Sequence, residues 1–122
     1  MLKDSLYKII SLTHREDAIA VMLEINKDHE IFTGHFPGHP VLPGACMLQI
    51  LKEVLESGLD RSLRLKKADS MKFLSLTDPM ATSILELNLS YSLVGDKTIA
   101  VVANLGAQND ICFKFKGSFI AV

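Results

Sequence analysis

Tryptophan is absent from this chain, and cysteine nearly so, with two among 122 residues. Cys46 and Cys112 could pair, but so low a count is no disulfide framework and reads as reduced thiols of a cytosolic protein. Neither charge is in excess: 13 Lys+Arg meet 14 Asp+Glu for a formal net charge of −1, without the basic footprint of a nucleic-acid binder. No apolar run approaches the ~20 residues that span a bilayer. The opening MLKDSLYKIISLTHRED holds no sustained apolar core of signal-peptide type. Repeats, low-complexity tracts and linker-like stretches are also missing. What is present is 48% hydrophobic residues against 22% charged, enough for one buried core and too apolar for disorder. A length near the modal ~100–150 residues then gives one domain over residues 1–122, cytoplasmic, with neither nucleic acid nor membrane as partner.

Periodicity supplies the elements. ILELNLSYSL, residues 84–93, alternates strictly, with Leu85, Leu87, Leu89, Tyr91 and Leu93 on one face and polar residues on the other, the pattern of a half-buried strand. Gly95-Asp96 supplies turn chemistry before KTIAVVANL resumes, so 84–105 reads as a hairpin. A turn from Gly106 to Asp110 leads into ICFKFKGSFIAV, where Phe113, Phe115 and Phe119 oppose Lys114, Lys116 and Ser118. LYKIISL and AIAVMLEI flank the polar THRED as another antiparallel pair, and DSMKFLSL is a strand closed by Asp78-Pro79. One segment is helical, Gly44 to Ser57, with Gly58 where a left-handed C-terminal cap belongs. Gln49, Lys52, Glu53 and Glu56 share one stripe of it, and apolar residues cover the rest, so most of this helix must be buried. The expected class is α+β: five or six antiparallel strands packed on a single helix of about 44–57.

Residues 32–44 differ from all of this. Three of the four prolines and three of the seven glycines fall within these thirteen residues, which excludes helix and central strand. A stiff loop holding His35 and His39 and leading straight into the helix is either a bridge between elements or a functional site.

GHFPGHPVLPG followed by an apolar helix resembles the signature of the β-hydroxyacyl-acyl carrier protein dehydratases, the FabZ/FabA-type hotdog proteins. INKDHEIFTGHFPG, MKFLSLTDPM and the last 40 residues resemble that family's lead-in strand, post-helix strand and closing strands. The resemblance implies a hotdog fold, a sheet wrapped around a central helix. It also implies removal of water from a 3-hydroxyacyl thioester to give the trans-2-enoyl product. The thioester would be carried on acyl carrier protein or coenzyme A, in fatty-acid or related acyl-chain synthesis, with no metal or organic cofactor. His35 takes the place of the family's base, suited by a neutral imidazole of pKa ~6.5. The backbone N–H of Gly44, at the helix start, takes the place of the donor to the thioester oxygen, with Phe36 and Pro43 as further substrate contacts. Such sites form between two subunits, so a homodimer is expected, or a trimer of dimers.

The third requirement, an acid for the departing hydroxyl, is where the chain departs from the pattern. The family's carboxylate lies fourteen residues after the histidine, which is Gln49 here, and its usual glutamine one turn later is Glu53. Gln49 can orient water but has no acidic proton. Glu53 would substitute only if acyl chain or loop shifted by one turn, ~5.4 Å. Two alternatives stay open. One is an impaired or half-site subunit whose hotdog partner carries the carboxylate, as a heterodimer. The other is a hotdog thioesterase with its carboxylates elsewhere. Of the remaining residues, His39, His14 and His29 read as surface or turn residues. Cys46 reads as a packing residue near the helix start, though a lowered thiolate pKa is conceivable there. Arg61, Arg64, Lys66 and Lys67 form a solvated basic cluster that would also suit the acidic surface of a carrier protein.

Overall fold

The computed structural model describes residues 1–33, 41–75, 77–107 and 110–122. Six strands form one antiparallel sheet: β1 (Tyr7–Arg15), β2 (Ala18–Ile25), β3 (Leu63–Phe73), β4 (Ile84–Val94), β5 (Thr98–Ala107) and β6 (Asp110–Ala121). Their spatial order is β1-β2-β4-β5-β6-β3. A short 3₁₀ turn, Glu30–Phe32, and one helix, α1 (Gly44–Leu59), lie between β2 and β3.

The alternation read from the sequence is the inner face of this sheet. Leu85, Leu87 and Leu89 of β4, Ile19, Val21 and Leu23 of β2, Ile99, Val101 and Leu105 of β5, and Phe113, Phe115 and Phe119 of β6 are all buried. They close on Met47, Ile50, Leu51, Val54 and Leu55 of α1. Each such side chain removed from water contributes roughly 1.5–3 kcal/mol, so the wrap of sheet around helix is the dominant stabilising arrangement. Leu93 lies opposite buried Ile99 on the expected face but is 63% exposed, beside the exposed Val94 and the positive-φ Gly95 at the hairpin tip.

Three boundaries differ from expectation. The helix does not stop at Gly58; it continues to Leu59, and Asp60 takes the left-handed position at φ 53°, its N–H donating to Glu56 O. Gly58 is instead a point of close approach, since a Cβ there would lie 2.5 Å from Ile19 Cδ1 on β2. Strand β3 begins at Leu63, six residues before the expected Asp69. Arg64, Lys66 and Lys67 are therefore exposed residues of an edge strand, and alternation there is obscured by register shifts at Leu65/Lys67 and Ala68/Ser70. Gly106 lies inside β5 at another shift, opposite Ile111, instead of opening a turn.

Candidate active site

Pro43 begins the helix with φ −63° and ψ 146° and offers no side-chain cap. Its carbonyl accepts from Cys46 N–H at 3.0 Å and Met47 N–H at 3.3 Å. Among the described residues nothing accepts from the N–H groups of Gly44 or Ala45, which stand at the positive end of α1. Two contacts fix this end. Leu42 N–H donates to Thr77 O at 2.8 Å. The ring of Phe73 packs so near that a Cβ on Gly44 would lie 2.6 Å from its Cε1. A side chain at position 44 would have to displace that ring.

Of the other site residues expected from the sequence, His35 and Phe36 lie outside the described residues, as does His39. Gln49 is half-buried on α1, and Nε2 of its amide donates to Glu53 Oε2 at 2.9 Å. Glu53 is not part of a solvent-facing stripe: it is 5% exposed. Its Oε2 also accepts from Leu2 N–H at 2.8 Å, and its Oε1 accepts from Lys3 N–H at 2.9 Å and Tyr7 OH at 3.0 Å. Burial alone would raise the Glu53 pKa. The hydrogen bonds from Leu2 N–H, Gln49, Tyr7 and Lys3 N–H together outweigh it and hold the carboxyl below its ordinary value. The Tyr7 phenol is pushed far upward, by burial first and then by the Glu53 charge and its bond to it, so it remains a donor. A carboxylate kept ionised by four donors is the reverse of what a general acid requires. The expectation that Glu53 could substitute as acid therefore meets a side chain engaged in tying residues 2–7 to the helix.

This clasp has a pH signature. Because the folded pKa of Glu53 is lowered, its stabilisation is complete above the unfolded value of ~4.3 and is lost as pH falls through the folded value. Glu53→Gln is expected to destabilise the protein at pH 7 by about 1–3 kcal/mol, the cost of a buried donor left unpaired. The gap between variant and wild type should close below pH ~4 in denaturant titrations. A gap that stays constant across this range would show that charge at Glu53 is irrelevant.

The clasp was not legible in the sequence, since its partners are 46, 50 and 51 residues from Glu53. The remaining candidates take ordinary places. Burial raises the thiol pKa of Cys46 above its ordinary value, against a nucleophilic role. His14 Nε2 lies 2.8 Å from Tyr91 OH on the exposed end of β1, and His29 Nδ1 accepts from Ile31 N–H at 3.0 Å as the cap of the 3₁₀ turn. Among the described residues no three His, Cys, Asp or Glu side chains gather to hold a metal ion, and no helix is long and apolar enough to cross a membrane.

A single buried helix wrapped by a six-stranded antiparallel sheet is the hotdog architecture. The family model described as ApeI dehydratase matches residues 11–111, and the chain belongs to this ApeI-like family. It is thus a dehydratase-like protein of the hydro-lyase type. The 3-hydroxyacyl-[acyl-carrier-protein] dehydratase FabZ of Wolbachia pipientis wMel is 26% identical over 101 residues, 75% of this chain and 68% of the relative. FabZ of Ehrlichia canis is 30% identical over 94 residues, 69% of this chain and 63% of that one. Among solved structures, the dehydratase heterocomplex ApeI:P from Xenorhabdus doucetiae superposes with a TM-score of 0.73 at 17% identity, covering 92% of this chain and 96% of the other. A hypothetical thioesterase with coenzyme A from Streptococcus pneumoniae gives 0.66 at 9% identity, covering 98% and 91%. At such identities the two structures share the fold alone.

Proposed function

We propose that residues 1–122 act as one dehydratase domain that eliminates water from a 3-hydroxyacyl thioester at a site shared between two hotdog subunits. His35 abstracts the α-proton, and the helix-start N–H of Gly44 donates to the thioester oxygen as negative charge develops there. Phe36 and Pro43 border the acyl chain, and Gln49 meets the β-hydroxyl. The observation that carries this reading is the open N-terminus of α1, pinned by Leu42 and Phe73, which begins seven residues after Pro37 of the Gly-His-Phe-Pro segment. A phosphopantetheine arm, on acyl carrier protein or coenzyme A, fits this chemistry, with the exposed basic residues of β3 suited to an acidic carrier. Two buried, unbridged thiols suit the reducing cytoplasm.

Strand β3 is the edge offered to a second subunit. Leu65, Met71 and Phe73 lie directly opposite the buried Phe119, Phe115 and Phe113, so they belong to the same inner face. Yet they are 36%, 39% and 52% exposed, because the helix covers this edge only in part. An unpaired edge with a partly uncovered apolar inner face calls for a partner sheet. Light scattering at micromolar concentration should give a dimer or a multiple of it, and Leu65→Lys with Met71→Lys should shift the protein toward monomer. A stable wild-type monomer would overturn the shared site.

The Glu53 geometry favours a second reading, in which this chain is half of a mixed pair. Neither Gln49 nor Glu53 brings a proton to the departing hydroxyl, so a protonated carboxyl from another hotdog chain, which gives its proton to the hydroxyl as it leaves as water, completes the site opposite His35. The protein alone should dehydrate 3-hydroxyacyl thioesters slowly, and addition of such a subunit should raise the rate by about 10²-fold or more, the worth of a general acid. Equal rates with and without it would place the proton donor within this chain.

A further inference from the structure

Glu53 decides which end of the Gln49 carboxamide is left for a ligand. An ionised carboxylate only accepts hydrogen bonds, so the amide must turn its Nε2 toward Glu53, at 2.9 Å, and its Oε1 away. Among the described residues nothing donates to Oε1. Glu53 itself is held against rotation by two backbone N–H groups, of Leu2 and Lys3, and by the buried Tyr7 hydroxyl. The amide is thus locked in one of its two flip states by a network anchored outside the site.

We propose that Glu53 is a positioning residue that makes Gln49 an obligate hydrogen-bond acceptor, so that the site selects an acyl chain bearing a 3-hydroxyl, which can donate, over one bearing a 3-oxo group, which cannot. The inference rests on the reading above that Gln49 faces the bound acyl chain. A 3-oxo oxygen would meet Gln49 Oε1 lone pair to lone pair, leaving both without a donor in a desolvated site. The consequence is refusal of the more oxidised thioester, whose reduction by a ketoreductase-type reaction supplies the 3-hydroxyacyl substrate.

Glu53→Gln reverses the polarity. The new side chain can keep Lys3 N–H and Tyr7 OH through an Oε1 on the side of the present Oε1, which puts its own NH₂ toward Gln49. Gln49 must then flip, giving Oε1 to residue 53 and NH₂ to the ligand. Amide-linked pantetheine analogues, which do not eliminate, read this out by titration calorimetry: 3-hydroxyacyl, 3-oxoacyl and unsubstituted acyl, each with short and medium chains. The wild type should bind the 3-hydroxy analogue about tenfold or more tighter than the 3-oxo analogue. In Glu53→Gln the unsubstituted analogue should bind as before while the preference vanishes or inverts. Gln49→Ala should erase the preference without inverting it. A wild type that does not discriminate, or a Glu53→Gln protein that weakens all three ligands equally, overturns the proposal. Wild-type protein that binds none of the three overturns the thioester site itself, a failure distinct from the loss of discrimination alone.

Discussion

Replacing His35 with alanine is expected to lower the rate of 3-hydroxyacyl thioester dehydration by about 10²–10⁴-fold while leaving the fold and its melting temperature unchanged. The α-proton beside the thioester carbonyl has to be removed by a group that is neutral near pH 7, and imidazole, of ordinary pKa ~6.5, meets that requirement. Of the four histidines, His14 is paired with the Tyr91 hydroxyl and His29 caps the 3₁₀ turn through Nδ1. His35 is the one at the base position of the Gly-His-Phe-Pro segment, nine residues ahead of Gly44. Some rate above the uncatalysed reaction should survive, since in the proposed site the N–H groups at the start of α1 would still donate to the developing oxyanion. His39→Ala serves as the control and should change the rate by less than about twofold, as surface substitutions usually do. Steady-state assays of enoyl thioester formation decide the matter. A fully active His35→Ala protein would remove the dehydratase reading.

How much of this was legible in the sequence depends on how local the governing interaction is. Alternation identified β4 and β6, because a side-chain period of two needs only adjacent residues, and the Gly95-Asp96 turn added β5; the inner faces read for β4 and β6 are buried except towards the β4 tip, where Leu93 is exposed. Strand β3 was half-read: two register shifts interrupt its alternation and a partly uncovered inner face leaves Leu65 and Met71 exposed, so neither period nor burial marks its start. The helix end was misplaced by two residues, because Gly58 satisfies a packing demand from Ile19 that lies 39 positions away. The loop motif located the helix start and the exchange of Gln49 with Glu53, both local patterns. That exchange looked like a defect in an acid. Only the fold, by carrying Leu2, Lys3 and Tyr7 onto Glu53, gives it a second meaning as an anchored acceptor pair.

Restoring the family order at both helix positions should produce the largest gain. In Gln49→Glu alone, a new carboxyl would sit within hydrogen-bond distance of ionised Glu53, and two such groups share one proton. Glu53 keeps the charge, since Leu2, Lys3 and Tyr7 continue to donate to it. The proton then bridges the two carboxyls and points along the helix instead of toward the substrate, so the rate should rise by less than about tenfold. The double variant Gln49→Glu with Glu53→Gln removes the competition. The amide introduced at position 53 can accept from Lys3 N–H and Tyr7 OH through its oxygen and give an N–H to the carboxyl introduced at position 49. One native bond is forfeited, that of Leu2 N–H, at about 1–3 kcal/mol of stability. The new carboxyl then has one oxygen turned to the site, and desolvation by the bound acyl chain raises its pKa toward the working range. The double variant alone should dehydrate 3-hydroxyacyl thioesters about 10²–10⁴-fold faster than wild type alone. Its rate should be bell-shaped in pH, rising as His35 loses its proton and falling as the carboxyl at position 49 does. A second hotdog subunit that accelerates the wild type should accelerate this variant little, because the acid it contributes is already present. A double variant no faster than Gln49→Glu would mean that the helix position does not face the departing hydroxyl, and that the proton arrives from a different surface of the assembly.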